Sequence, residues 1–245
     1  MSPTRPIPHP DGSARPGSSG GPGRSGRSIL AMAALRALVR RRRASGERLG
    51  EPFDAPSIST PRLTLRPHRL TDARQWYVIQ SDPSVVEYLP WPVRTRAESF
   101  EHLAHRTRHT RLSQADDFLA LAVELDGRLI GDVSAHLRDV HPARRSAEIG
   151  WVFDPAFSGR GYAAEAASAL LDQLFDVVGA TIVHAVVHPE NVRSLALAAR
   201  LGFEEGVGTE RAAARHSSSI VLGVTAAGRV GAGRVELKHL ERRAS

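Results

Sequence analysis

Residues 147–166 read AEIGWVFDPAFSGRGYAAEA. The first seven residues, Ala147 to Phe153, are apolar or small apart from Glu148 and suit a largely buried strand. Asp154-Pro155 breaks the run, and two glycines follow, Gly159 and Gly161, one residue apart. From Gly161 to Gly179 the chain is rich in Ala, Leu and other good helix formers, and Gly179 closes the pattern. The stretch is therefore a strand, a glycine turn and a helix. Such a turn either joins the two elements or cradles an anion. Glycines let the backbone approach a ligand closely, and a helix N-terminus offers unpaired N–H groups.

Working outward, ATIVHAVVH (180–188) is a second β run and PENVRSLALAARLGF (189–203) a second helix, ended by Gly202. Upstream, residues 117–140 form a hairpin with its turn at Asp126-Gly127, and 145–153 is the next strand. RLTLRPHR (62–69) alternates Leu63 and Leu65 with polar residues, as a half-buried strand does. Thr71 is the expected N-cap of a helix starting TDARQWYVIQ, Asp82-Pro83 opens a short helix, and 96–113 reads as a further helix. The order β-α-α-β-β-β-α-β-α places a strand–helix–strand unit after an antiparallel meander. The fold class is mixed α/β on a central sheet. In the last 40 residues two strands are expected, near 219–225 and 233–239.

Composition narrows the function classes. The 245 residues are 41% apolar, enough for a core. Cysteine is absent, which excludes disulfides, thiolate zinc sites and a cysteine nucleophile. No apolar run approaches the roughly 18–20 residues of a membrane helix, and MSPTRPIPHPDGSARPG lacks the apolar core of a secretory signal, so a cytoplasmic protein is expected. The net charge of +7 is concentrated at one end, because residues 1–56 hold ten arginines and four acids. Residues 1–28 are Pro-, Gly-, Ser- and Arg-rich and read as disordered; 29–43 carries a short helical stripe before four arginines; 44–57 reads as linker. Nucleic acid or a membrane surface is a partner only through this basic extension, residues 1–56. Residues 57–245 form the folded domain, with its core at 58–206.

The glycine loop is not a Walker loop, since no Gly-Lys-Ser/Thr follows and the chain's one lysine is Lys238. Nor does it open a dinucleotide fold. Taken together, AEIGWVFDPAFSGRGYAAEA, HPENVRS and RLGF, with TPRLTLRPHRLTDA and DPSVVEYLPWP upstream, resemble the GNAT superfamily of acetyl-CoA-dependent N-acetyltransferases, and within it the RimJ/RimL-like branch. The resemblance covers about residues 58–206.

It implies a mostly antiparallel twisted sheet with flanking helices and a V-shaped splay between two strands at the cofactor site. The family's phosphate loop falls on Ser158, Gly159, Arg160, Gly161, Tyr162 and Ala163, and the N–H groups from Gly159 to Ala163 would cradle the coenzyme A pyrophosphate. Ser158 stands where the family motif has Gln or Arg. Val152 and Phe153 would line the pantetheine arm, and one of their N–H groups would polarise the thioester carbonyl. Asn191 would hydrogen-bond the cofactor and Ser194 would lie near the thiol. Glu148 is the candidate base; the other reading is a Glu paired with an Arg across the sheet. The family's tyrosine acid is missing, because Ala198 occupies its place in LALAARLGF, which leaves Ser194 or water to protonate the thiolate. Transfer would be direct, with no acyl-enzyme, and no metal is implied.

The acceptor is an amine, a protein N-terminus by analogy with the branch. A small amine such as an antibiotic or polyamine, or a coenzyme A-binding module without turnover, are the alternatives. Residues 207–245 lack the Trp-x-Asp-like motif and Tyr-rich strand with which the family usually closes. A monomer or homodimer is expected. His102, His105 and His109 share a helical face, read as an exposed or substrate-facing His/Arg helix rather than a zinc site. Trp91 in LPWP either lines the acceptor pocket or packs in the core.

Overall fold

A computed structural model describes residues 47–209, 212 and 218–229. The expected tail helix at 29–43 and strand at 233–239 lie outside these residues. Among the described residues the strands are β1 (Arg48–Asp54), β2 (Ile58–Ser59), β3 (Thr64–Pro67), β4 (Arg111–Gln114), β5 (Phe118–Leu125), β6 (Arg128–Asp139), β7 (Ser146–Phe153), β8 (Ile182–Val187), β9 (Glu204–Glu205) and β10 (Ile220–Val224). The helices are α1 (Ala73–Gln80), α2 (Pro83–Val86), α3 (Arg96–Arg106), α4 (Tyr162–Asp172) and α5 (Val192–Arg200).

The main sheet has the order β2-β3-β5-β6-β7-β8-β10-β9. Every neighbouring pair is antiparallel except β7–β8, which is parallel. The hairpin turn falls where expected. Asp126 and Gly127 both have positive φ, 49° and 77°, as a two-residue hairpin with the right-handed twist requires.

Strand alternation divides the sheet into two faces. Ala147 and Ile149 of β7, with Leu119, Leu121 and Val123 of β5, join the main core against Leu170, Leu171 and Leu174 and against Leu197 of α5. On the other face Val152 and Ala122 pack with Trp76 and Ile79 of α1 and Leu103 of α3. So α4 and α5 cover one face and α1 to α3 the other.

Three local expectations are corrected. Residues 48–54, read as linker, form β1, which pairs with β4 and buries Leu49 and Phe53. Their spacing of four, across a register irregularity, hides the strand from a period-two reading. The helix expected over 96–113 ends at Arg106, because 111–114 is β4, whose Leu112 is fully buried. Thr71 is not an N-cap. A 3-10 turn over Leu70–Asp72 precedes α1, and the Asp72 carboxylate accepts the Arg69 N–H (2.8 Å) while pairing with Arg66 (2.8 Å).

Candidate functional site

The parallel pairing of β7 and β8 runs only from Ser146↔Ile182 to Ile149↔Ala185. Beyond it β7 continues through Gly150, Trp151, Val152 and Phe153, still paired to β6 as far as Phe153↔Gly131, while β8 continues through Val186 and Val187 paired to β10. Two adjacent strands thus separate while each keeps its outer neighbour, the V expected from the sequence. The Asp154 N–H donates to the Ile130 carbonyl on β6 (2.9 Å). By alternation the Val152 N–H points the same way, and the N–H groups of Trp151 and Phe153 point to the open side. Phe153 can lie against β6 because Gly131 has no Cβ there; one would sit 2.4 Å from the ring.

The open strand leads into the glycine loop. Asp154 caps a short turn, accepting from Ala156 N–H (2.9 Å), and the Ser158 N–H is used on the Pro155 carbonyl (3.0 Å). Gly159 and Gly161 have φ of 76° and 78°, a region that disfavours any residue with a Cβ. Helix α4 begins at Tyr162, so its first-turn N–H groups have no intrahelical acceptor. Gly159, Arg160 and Gly161 are exposed, and Tyr162 and Ala163 are half-buried. Positive dipole potential, free N–H groups and left-handed glycines meet at the mouth of the V. That is a fit for a pyrophosphate, with the open edge of β7 available to an extended arm.

Asn191 and Ser194 stand at the far side of the V, where β8 leads into α5. Asn191 is the N-cap, its Oδ1 accepting from Ser194 N–H (3.1 Å). The Ser194 hydroxyl accepts from Trp151 Nε1 (3.2 Å), so an indole bridges the two sides of the V. Ala198 is fully buried, one turn further on.

Glu148 lies just before the strands part, on the α1–α3 face. The register sets His136 of β6 and His184 of β8 on either side of it. Arg138 Nε donates to Glu148 Oε2 (3.0 Å), and the same guanidinium reaches Asp116 (3.4 Å). Burial, with Arg138 nearby, pushes His136 down to about 4, so it is neutral at physiological pH. Glu148, Arg138 and His184 line a cavity of about 380 Å³ that Arg144, Ile182 and Gly208 also border. The cross-sheet Arg pairing is therefore present, and the carboxylate also faces a cavity.

Nearer α1 and α3 the same face is charged and closed. Asp132 is 1% exposed and accepts two bonds from Arg106 (2.9 and 3.0 Å) and one from His68 Nε2 (2.6 Å). Burial favours its protonated form, but Arg106 and the His68 hydrogen bond outweigh that and hold the carboxyl below its usual range. Trp76 packs against His68 and His102, with Arg106 over its ring (5.2 Å). Burial, then Arg106 and Arg94, pushes His102 down to about 3. The three histidines expected on one helical face do not converge: His102 turns to Trp76 and Arg94, whereas His105 and His109, the latter beyond the end of α3, meet each other beside Phe118. Trp91 lies over Arg94 (4.9 Å) and near His102, in a loop whose Tyr88 stacks on His188 at the end of β8 (5.2 Å). The loop therefore roofs the splayed end of the sheet.

Comparison with known proteins decides the family. A sequence model described as Acetyltransferase (GNAT) domain matches residues 62–204, more than half of the chain. The chain belongs to the GNAT acetyltransferase family. It is 31% identical over 150 residues to the uncharacterized N-acetyltransferase p20 of Bacillus licheniformis, covering 61% of this chain and 83% of p20. It is 29% identical over 146 residues to the uncharacterized N-acetyltransferase YnaD of Bacillus subtilis, covering 60% of this chain and 81% of YnaD. In fold it resembles Mycobacterium smegmatis RimJ in complex with CoA-disulfide, with a TM-score of 0.53 and 24% identity over 77% of this chain and 96% of that one. The protein is an acetyl-CoA-dependent GNAT N-acetyltransferase. Among the described residues no helix is long and apolar enough to cross a membrane.

The sequence reading missed three contacts around this GNAT site: the Trp151–Ser194 bond, the Asp132–His68–Arg106 cluster, and the ties that Thr60 and Arg62 make to Glu165. No spacing signal could have found them, since the partners lie 26 to 105 residues apart.

Proposed function

We propose that this enzyme acetylates a primary amine, and that the acceptor is a protein N-terminus, as in the RimJ/RimL-like branch. The observation that carries the reading is the limited register of β7 and β8, which opens backbone at Trp151–Phe153 directly before the glycine loop. When bound, acetyl-CoA supplies an activated thioester. Gly159, Arg160, Gly161, Tyr162 and Ala163 hold its pyrophosphate through backbone N–H groups; Ser158 borders the cradle but spends its own N–H internally. Asn191, capping α5, keeps its side-chain NH₂ available for the cofactor.

Phe153, rather than Val152, offers the N–H that polarises the carbonyl, because alternation turns it to the open side. Glu148 takes a proton from the acceptor's ammonium, directly or through water in its cavity, and frees the amine to attack the thioester carbonyl. Ser194, fixed as an acceptor by Trp151, has its own O–H left to donate to the departing sulfur. No covalent acyl-enzyme is needed, and without cysteine no thiol nucleophile exists. The test is release of free thiol from acetyl-CoA against a panel of N-terminal peptides and small amines. Peptide-dependent release supports the reading. Release only with small amines would move the acceptor to an antibiotic- or polyamine-like class. Coenzyme A binding without release from any acceptor would contradict it.

A further inference from the structure

The segment before β3 reaches across to the first turn of α4. Glu165 Oε1 accepts from the Thr60 hydroxyl (2.6 Å) and the Arg62 backbone N–H (3.0 Å), and Glu165 Oε2 accepts from Arg62 Nε (2.6 Å). Arg62 Nη2 lies 2.6 Å from the same oxygen. The remaining arm, Nη1, donates to the backbone carbonyl of Arg160 (2.9 Å), and the guanidinium lies over the Tyr162 ring at 4.7 Å. One side chain thus ties Glu165 to Arg160 and Tyr162, the residues on either side of Gly161.

We propose that Arg62 and Glu165 are positioning residues that pre-aim the pyrophosphate-binding N–H groups, an inference that rests on the loop reading above. The peptide between Arg160 and Gly161 is planar and trans, so its carbonyl and N–H point in opposite directions. By holding the Arg160 carbonyl, Arg62 turns the Gly161 N–H to the other side, away from the clamp. Two glycines give the loop a large conformational entropy, and ordering it before the ligand arrives removes that cost from binding.

Gly161 borders the clamp: a Cβ there would sit in ordinary contact, 3.4 Å from Arg62 Nη2. Charge enters too. Glu165 sits in the first turn of α4, where an unpaired carboxylate would repel a pyrophosphate. Burial pushes its carboxyl up, but Thr60 and Arg62 more than offset this and keep it ionised and paired. Pairing with Arg62 cancels the charge and leaves the helix terminus free to act on the ligand.

The experiment uses the full chain and compares Arg62→Ala, Arg62→Lys and Gly161→Asp. It measures coenzyme A affinity by titration, and turnover with acetyl-CoA and with acetyl-pantetheine, which lacks the pyrophosphate. Arg62→Lys keeps an ion pair with Glu165 but cannot also hold the Arg160 carbonyl. Both Arg62 variants are expected to weaken coenzyme A binding about tenfold, the scale of a lost charge-assisted hydrogen bond. They should raise KM for acetyl-CoA with kcat within about twofold, and leave acetyl-pantetheine turnover unchanged. If Arg62→Ala does not fold, Arg62→Lys carries the test alone. Wild-type affinity in Arg62→Lys, or equal losses with both donors, would overturn the proposal. Normal coenzyme A binding by Gly161→Asp would instead sink the loop reading, and loss in Gly161→Asp without loss in the Arg62 variants would sink only the clamp.

Discussion

The two faces of the sheet solve opposite problems. Under α4 and α5 the core is apolar, and the groups proposed to hold the cofactor at its edge are backbone: the open rim of β7, the glycine loop and the first turn of α4. Under α1 to α3 the sheet carries charge, with Asp132, Arg106 and His68 buried together and Glu148 set between two histidines. A cofactor shared by a whole family can be recognised by main-chain geometry. The reacting groups of the acceptor side depend on particular side chains. Substitutions on the two faces should therefore fail in different ways.

The largest effect is expected on the charged face, in catalysis. Glu148→Gln should lower kcat by about 10²-fold or more while KM for acetyl-CoA holds, because a general base contributes on that scale. Steady-state kinetics at several acetyl-CoA concentrations check this, and full turnover would remove Glu148 as the base. In stability, Asp132→Ala leaves the Arg106 guanidinium buried without its partner. It should cost about 3–5 kcal/mol in urea unfolding. A loss below about 1 kcal/mol would mean that the cluster hydrates and is not closed.

Acid sharpens the same contrast. His102 and His136 titrate near 3 and 4 in the folded chain, against about 6.5 when unfolded, so the unfolded state binds more protons as pH falls below about 6.5. Their contribution is intact at neutral pH and is lost progressively as pH falls from about 6.5 towards their folded values. From pH 7 to pH 5 the pair should take away about 2–4 kcal/mol. Asp132, held low by Arg106, adds a further loss only in stronger acid. Stability that stays flat between pH 7 and pH 5 would place both imidazoles in contact with water. The smallest effect belongs to the cofactor face. Ser194→Ala should slow kcat by less than about tenfold, since water can protonate a thiolate of moderate basicity, and a solvent-isotope comparison would register the change of donor.

The sequence was legible where local rules act. Asp126-Gly127 fixed the hairpin, Asp82 capped its helix, and Gly159 and Gly161 took the left-handed conformations that mark the loop. Pairing between distant segments was not legible. Residues 48–54 look like linker until Arg111–Gln114 completes a two-stranded sheet with them, and the same pairing shortens the helix expected to reach 113. The Asp132 cluster and the Arg62 clamp join residues 26 to 103 positions apart, so no window of sequence contains them. Glu148 was visible as a strand carboxylate. Its neighbours His136 and His184 needed the register of three strands.

If the loop after β7 holds the cofactor through its backbone, titration of coenzyme A into the full chain and into Gly161→Asp, with folding monitored by circular dichroism, will separate the two proteins. Aspartate there would set a carboxylate at the helix terminus, in a left-handed position, beside the expected pyrophosphate. The wild-type chain should bind, and the folded variant should lose at least about 10²-fold in affinity. A folded Gly161→Asp that binds coenzyme A as tightly as the wild type would contradict that role of the loop.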